Sequence, residues 1–351
     1  MIPYLDRFEK TIVDVFNPGV DEKILIVFDT PHHSVNDNDK WVDRRMLSKE
    51  WFDFFTVISE KYDFSVDLWS FLATGSHNRT LSEGVLSDFA AFNIIIAMTE
   101  FSITSSLVSL IRKYNDWIRC ASMPGAERRM HESVYLADYR KVKQFSLSLR
   151  SLLDDACSSE VMFSTGDCLT VDLRNRVAGA DDGDCTTSGS MINFPSGEGF
   201  SAPYEGVGDE KDEFEESLTN GVIPFMVDGE LVKGIVSKNK FTVFKGSSKV
   251  VSSVRSYFNE NPSRRNIAEL GIGCNPKAQV TGNMFEDEKA GVHIAYGTSS
   301  HLGGKVSSDV HFDLVFAKNC PVEAEKVTLF FENGSFLDIV RNSRLRYELL
   351  S

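Results

Sequence analysis

The chain has 351 residues, 42% of them hydrophobic and 25% charged, which suits one large globular domain or two ordinary ones with a substantial core. Its formal net charge of -14 repels phosphate backbones and sets nucleic acid aside as a partner. The longest apolar run, AAFNIIIAM at residues 90–98, is far too short to span a bilayer, and the acid-bearing start MIPYLDRFEK does not resemble a secretion signal.

In chain order, KILIVFD (23–29) is a continuous apolar run ending in an acid, as in a buried parallel strand. KWVDRRMLSKEWFDFFTVISEKY (40–62) has helical spacing, and FSVDLW (64–69) and FNIIIAM (92–98) read as further strands. SLVSLIRKY (106–114) returns as a helix, and WIRCASMPG (117–125) is a fourth strand running into a Pro-Gly turn. Alternating strands and helices predict an open, mostly parallel sheet. No G-x-G-x-x-G follows any of these strands, so nothing points to a dinucleotide. Residues 130–156 continue as one long helical pattern that closes this part, placing His131 near an exposed helix start.

The texture then changes. EVMFSTG and CLTVDL (160–173) read as a hairpin, AGADDGDCTTSGS (178–190) as a polar loop, and GDEKDEFEESLTNG (208–221) as an exposed acidic loop. Period-2 alternation around an Asp-Gly turn marks strands over 223–246. A helix over 247–258, a second near 284–289, and strands at 309–316 and 326–337 complete the chain. The expected fold is α/β: an N-terminal open parallel-sheet domain over 1–157 and a C-terminal β-rich α+β domain over 158–351 that carries the site. The six cysteines form no C-x-x-C, so reduced thiols of a cytoplasmic protein are expected.

The chemistry-bearing residues concentrate in the second half. NFPSGEGFSAP holds Glu198 between two glycines, on a constrained turn that opens into a strand. NIAELGIGCNP carries Glu269 in an apolar run, where a lone buried carboxylate costs several kcal/mol unless it is paired, protonated or metal-bound. EDEKAGVHIAYG offers Glu288 at a turn and His293 at a strand start, and in SDVHFDLVF His311 and Asp313 are two apart on one strand face. Four carboxylates and two imidazoles suit two divalent ions with a bridging carboxylate. Taken one at a time, the same residues also suit satisfied core or edge pairs. His32 and His33 follow the first strand in a loop, and His77 and His301 also read as loop residues. His301 precedes a glycine pair and is placed to line the site.

The blocks FPSGEGFSAP, AELGIGCNPKA, GNMFEDEKAGVHIAYG and GGKVSSDVHFDLVF together resemble the M29 metallopeptidases, the thermophilic aminopeptidase family, over residues 193–316. Residues 97–125 resemble a strand, helix and MPG turn of that family. The resemblance implies a two-domain homodimer with two divalent metals (Zn, Co, Mn or Mg) held by Glu198, Glu269, Glu288, His293, His311 and Asp313. It implies water activated against the amide of a small peptide or amide with a free amine, a carboxylate (Glu198 or Glu288) moving the proton. A tyrosine of those enzymes falls near Ser300 here, so a pathway-specific substrate or altered catalysis is a further possibility. The 2,5-dihydroxypyridine dioxygenases, mononuclear Fe(II) oxygenases, share the block at 271–278 and the His-x-Asp. They place a histidine where this chain has Glu269, lack the counterparts of Glu288 and His293, and use a first-domain histidine absent near MTEFSITSS.

Overall fold

The computed structural model describes residues 5–114, 116–208, 210 and 216–350. The first stretch runs α1 (Leu5–Phe16), β1 (Lys23–Thr30), α2 (Asp39–Tyr62), β2 (Ser65–Leu72), α3 (Glu83–Phe89), β3 (Ile94–Ala97), α4 (Thr104–Lys113) and β4 (Arg119–Ser122). Next come α5 (Tyr139–Asp155), β5 (Ala156–Phe163), β6 (Cys168–Asp172), β7 (Gly179–Asp181), β8 (Met191–Asn193) and β9 (Glu198–Ser201). Then follow β10 (Asn220–Val227), β11 (Glu230–Ser237), β12 (Lys240–Lys245), α6 (Ser248–Glu260), β13 (Ile267–Gly273) and α7 (Met284–Asp287). The last strands are β14 (Val292–Gly297), β15 (His311–Val315), β16 (Ala324–Phe331), β17 (Phe336–Arg341) and β18 (Arg344–Leu345).

Two compact units result, Met1–Lys143 with Asp181–Ser196, and Gln144–Ala180 with Gly197–Ser351. The division therefore differs from the boundary expected at residue 157. Most of α5 belongs with the second unit because Leu149 and Leu153 enter its core. Residues 181–196 belong with the first because β8 pairs in parallel with β4, Cys120 facing Met191 and Ser122 facing Asn193.

In the first unit the parallel sheet has the order β2-β1-β3-β4-β8. The four residues of β3 and the apolar residues 24–27 of β1 are fully buried, which is why both read as unbroken Val/Ile runs. The α2 helix packs on β1 and β2. The Asn38 side chain caps α2 by accepting from Trp41 N–H, and Asp63 ends it in the left-handed region at φ 57°. Asp29 at the end of β1 is structural: it accepts from Glu100 N–H at 2.8 Å, Phe101 N–H at 3.1 Å and the Trp41 indole at 2.9 Å.

The long helix expected over 130–156 is interrupted. Two 3-10 turns, Arg128–Glu132 and Val134–Leu136, flank Ser133 at φ -131°, ψ -107°, and α5 begins only at Tyr139. His131 is therefore not at an exposed helix start but 2% exposed, accepting a hydrogen bond from the Trp51 indole at 2.9 Å. The loop expected over 178–190 contains β7. Of the acidic segment 208–221, residues 209 and 211–215 lie outside the described residues, and Glu210 is buried rather than exposed.

The second unit holds an antiparallel eight-stranded sheet, β12-β11-β10-β6-β5-β16-β17-β18, and a five-stranded sheet, β15-β14-β13-β9-β7. Leu270 and Ile272 of β13 and Val292 and Ile294 of β14 enter the hydrophobic core of this unit. By the two-residue period, Glu269, Gly271 and Gly273 of β13 and His293, Ala295 and Gly297 of β14 take the opposite face. Among the described residues no helix is long and apolar enough to cross a membrane.

Candidate metal centre

The centre is built on that opposite face of the five-stranded sheet. Residues directly opposite in antiparallel strands share a face. Asp313 stands opposite Ala295, and Ala295 opposite Glu269. His311 stands opposite Gly297, His293 opposite Gly271, and Glu198 opposite Gly273. The polar side chains thus alternate with alanine and glycine, which leaves room between them. At Gly271 the room is obligatory, because an added Cβ would lie 1.9 Å from His293 Nε2. The register of β13 against β14 shifts between Ile267 and Glu269, a bulge that sets the direction of Glu269.

The donors meet at ligand-to-ligand spacing. Glu269 Oε2 is 3.1 Å from His311 Nε2, which is 3.6 Å from Asp313 Oδ1. The other oxygen of Glu269, Oε1, is 3.5 Å from His293 Nε2, which is 3.4 Å from Glu198 Oε2. Two donors each about 2.1 Å from one divalent ion are about 3.0 Å apart at a right angle and about 3.4 Å at the tetrahedral angle. Donor atoms of Glu269, His311 and Asp313 all lie within 4.8 Å of one another. Glu198 Oε2 is buried and accepts no hydrogen bond among the described residues, an orphan that a cation would satisfy.

Backbone carbonyls orient the imidazoles. His311 Nδ1 donates to the Thr298 carbonyl at 2.8 Å and His293 Nδ1 to the Gly291 carbonyl at 3.4 Å, so both present Nε2 to the carboxylates. The charges respond to being crowded together. Burial would push the His293 imidazole down, but Glu269, Glu198 and Asp313 outweigh it and raise it to about 10. His311 is likewise raised well above its ordinary value, against burial, by Asp313 and Glu269. Burial works against the ionised Glu269, yet the two histidines hold it well below the usual carboxylate range. Glu288 goes the other way, to about 8, through burial and the repulsion of Glu198 and Asp313, with Lys289 opposing.

All six residues singled out from sequence lie in this region, though not as equals. Glu288 reaches the others through Lys289, whose ammonium is 2.8 Å from Glu288 Oε1 and 2.6 Å from Glu198 Oε1. Lys289, with a fully buried side chain, was not legible in sequence, since a lysine in the run EDEK reads as a solvated charge. A second group also escaped the sequence reading. The buried Glu205 accepts from Asn266 Nδ2 at 2.7 Å, Lys305 N–H at 2.6 Å and Val306 N–H at 3.2 Å. It also accepts from the Ser299 hydroxyl and pairs with Arg176. Glu205 thereby fixes the loop 299–306, which carries the exposed His301 with its ring centroid 4.7 Å from that of His311. His32 and His77 lie in the other unit, at the loops after β1 and β2, His32 Nε2 bonding the Ala73 carbonyl and His77 Nδ1 accepting from Ser102 N–H.

A parallel α/β unit joined to an antiparallel unit that carries a carboxylate-imidazole cluster defines the class of fold. Two solved structures share it over nearly their whole length. The 2,5-dihydroxypyridine dioxygenase of Pseudomonas putida aligns with a TM-score of 0.68 at 15% identity, covering 97% of this chain and 96% of that one. AmpT of Thermus thermophilus, an M29 aminopeptidase, aligns with a TM-score of 0.62 at 13% identity, covering 97% of this chain and 98% of that one. No family model and no curated protein matches the sequence. At these identities the likeness establishes the fold.

Proposed function

We propose that the chain is a metal-dependent hydrolase of amide bonds, an aminopeptidase or a close chemical relative, using two divalent ions. The observation that carries this reading is Glu269, whose two oxygens face two different imidazoles, His311 and His293. A carboxylate placed between two donor sets suits two ions better than one. Glu269, His311 and Asp313 would hold one ion, and Glu198, His293 and the second oxygen of Glu269 the other. Divalent ions bound there supply Lewis acidity, polarising an amide carbonyl and making a bound water acidic.

The chain's own residues supply the rest. Glu288 holds its proton up to about pH 8, so this carboxyl is suited to carrying a proton to a leaving amine. Glu198, whose Oε2 accepts no hydrogen bond among the described residues, is the alternative for that role, and in it would give up its place on the second ion. The substrate class is a small peptide or amide with a free amine. A second reading, a mononuclear Fe(II) oxygenase, is supported by the dioxygenase among the structural neighbours and by the convergence of a single three-donor set, although Glu269, His311 and Asp313 supply one histidine and two carboxylates where such iron sites use two histidines and one carboxylate.

Metal analysis of chelator-free protein together with aminoacyl-p-nitroanilide cleavage tests the proposal. Two ions per chain and cleavage restored by Co(II) or Zn(II) are expected. One iron per chain with oxygen consumption and no anilide cleavage would sink it in favour of the oxygenase.

A further inference from the structure

We propose that Lys289 is a built-in cation that makes the two halves of the centre unequal: the half at Glu198 and His293 takes its ion more weakly than the half at Glu269, His311 and Asp313. The proposal rests on the two-ion reading above.

The inequality is visible in the partners. Among the described residues, Glu269 and Asp313 pair with no lysine or arginine, only with histidines. Glu198 and Glu288 instead each give an oxygen to Lys289, at 2.6 and 2.8 Å. One half therefore presents carboxylates with no fixed cation, and the other has one oxygen of each acid already engaged.

The lysine is held in place by its backbone as well as by charge. Gly273 N–H donates to the Gly291 carbonyl at 2.8 Å and Asn275 N–H to the Lys289 carbonyl at 3.1 Å, pinning the turn to the end of β13. The turn lies directly on the strand, since a Cβ at Gly273 would meet the Glu288 carbonyl oxygen at 2.3 Å. The lysine side chain is fully buried beside the acids.

Counting charge gives the same order. The three carboxylates that would hold the ions (Glu198, Glu269, Asp313) face one ammonium, with the imidazoles neutral as ligands. The first divalent ion brings the group to balance, whereas the second takes it two positive charges beyond. The first ion is pulled by the unpaired triad, while the second approaches an ammonium and competes with it for Glu198.

The test is a Co(II) titration of the chelator-stripped full chain, followed by calorimetry and by d–d absorption. The wild type is expected to show two steps, the second at least about tenfold weaker. Lys289→Gln closes that gap by about tenfold or more, Lys289→Arg keeps it, and Asp313→Asn removes the tight step first. Equal steps in the wild type, or a gap unchanged in Lys289→Gln, overturn the role of the lysine while the two-ion reading stands. A single equivalent of cobalt in every protein removes the two-ion reading and this inference with it. Should Lys289→Gln fold only when loaded, chelator competition decides the matter. One ion leaving the wild type well before the other, and both leaving the variant together, supports the proposal; identical release from both proteins overturns it.

Discussion

Glu269 stands opposite Ala295 on the site face, flanked by imidazoles rather than by lysine or arginine. Replacing it with alanine removes a donor from both halves at once, so the expected outcome is loss of at least one ion per chain and roughly 100-fold or more of hydrolytic rate. Metal analysis alongside an anilide assay checks it, and full metal content in Glu269→Ala would contradict the assignment. At His131 the expected effect is on stability. Its Nδ1 donates to the Arg128 carbonyl and its Nε2 accepts from Trp51, so a second ring proton would face a donor. Burial, the largest cause, pushes this imidazole down to about 4 from 6.5. Because the folded value is depressed, the folded state binds that proton less readily than the unfolded one. The associated stability is present above pH 6.5 and is lost as pH falls toward 4, by about 3 kcal/mol at most. Urea melts of wild type and His131→Gln between pH 7 and 4 test this, the variant showing the flatter profile. Sequence placed His131 outside because M-H-E-S-V continues a helical period; the two 3-10 turns, which turn the ring toward Trp51, leave no mark in composition.

Strands β13, β14 and β15 act as one device, with apolar residues to the core and donors to the site. Their alternation was legible, and so were Glu269, His293, His311 and Asp313, because a histidine or acid interrupting an apolar strand is conspicuous. Lys289 and Glu205 were not, because their significance lies in what they meet across 91 and 94 positions, Glu198 and Ser299 respectively. The glycines sharpen the point. Gly271→Ala is expected to keep the fold at a cost of about 1–3 kcal/mol. With the new Cβ displacing the His293 ring, it should lose the Glu198–His293 ion while retaining the one at Glu269, His311 and Asp313. Cobalt stoichiometry falling from two to one is the readout, and an unchanged stoichiometry would contradict the cradle. Glu205→Ala strips a buried carboxylate from Arg176 and from two backbone amides of the loop carrying His301. It should cost about 3–5 kcal/mol. Faster amide exchange over 299–306, with other segments of the chain less affected, is the expected signature.

At the scale of the whole molecule, the donors belong to one compact unit only, Gln144–Ala180 with Gly197–Ser351. Metal at 100 times its dissociation constant should therefore add about 2.7 kcal/mol of stability. The added protection is expected in residues 144–180 and 197–350, with 5–114 unchanged, as read by hydrogen exchange with and without chelator. Protection spread evenly along the chain would contradict that placement. The fold class was legible because its two halves have different periods. The division was not, because the returning strand β8 is three residues long and follows a polar, Gly-rich stretch.

That returning strand has a consequence for how the chain is made. The edge of β4 at Cys120–Ser122 is covered only when residues 191–193 arrive, roughly 70 positions later. At about 5–20 residues per second, a ribosome leaves that edge bare for roughly 4–14 s. During that interval the nascent parallel sheet carries an open, wholly buried-type strand of the kind that recruits other chains. Pausing between codons 123 and 190 should therefore raise co-translational aggregation, whereas pausing after codon 230 should not.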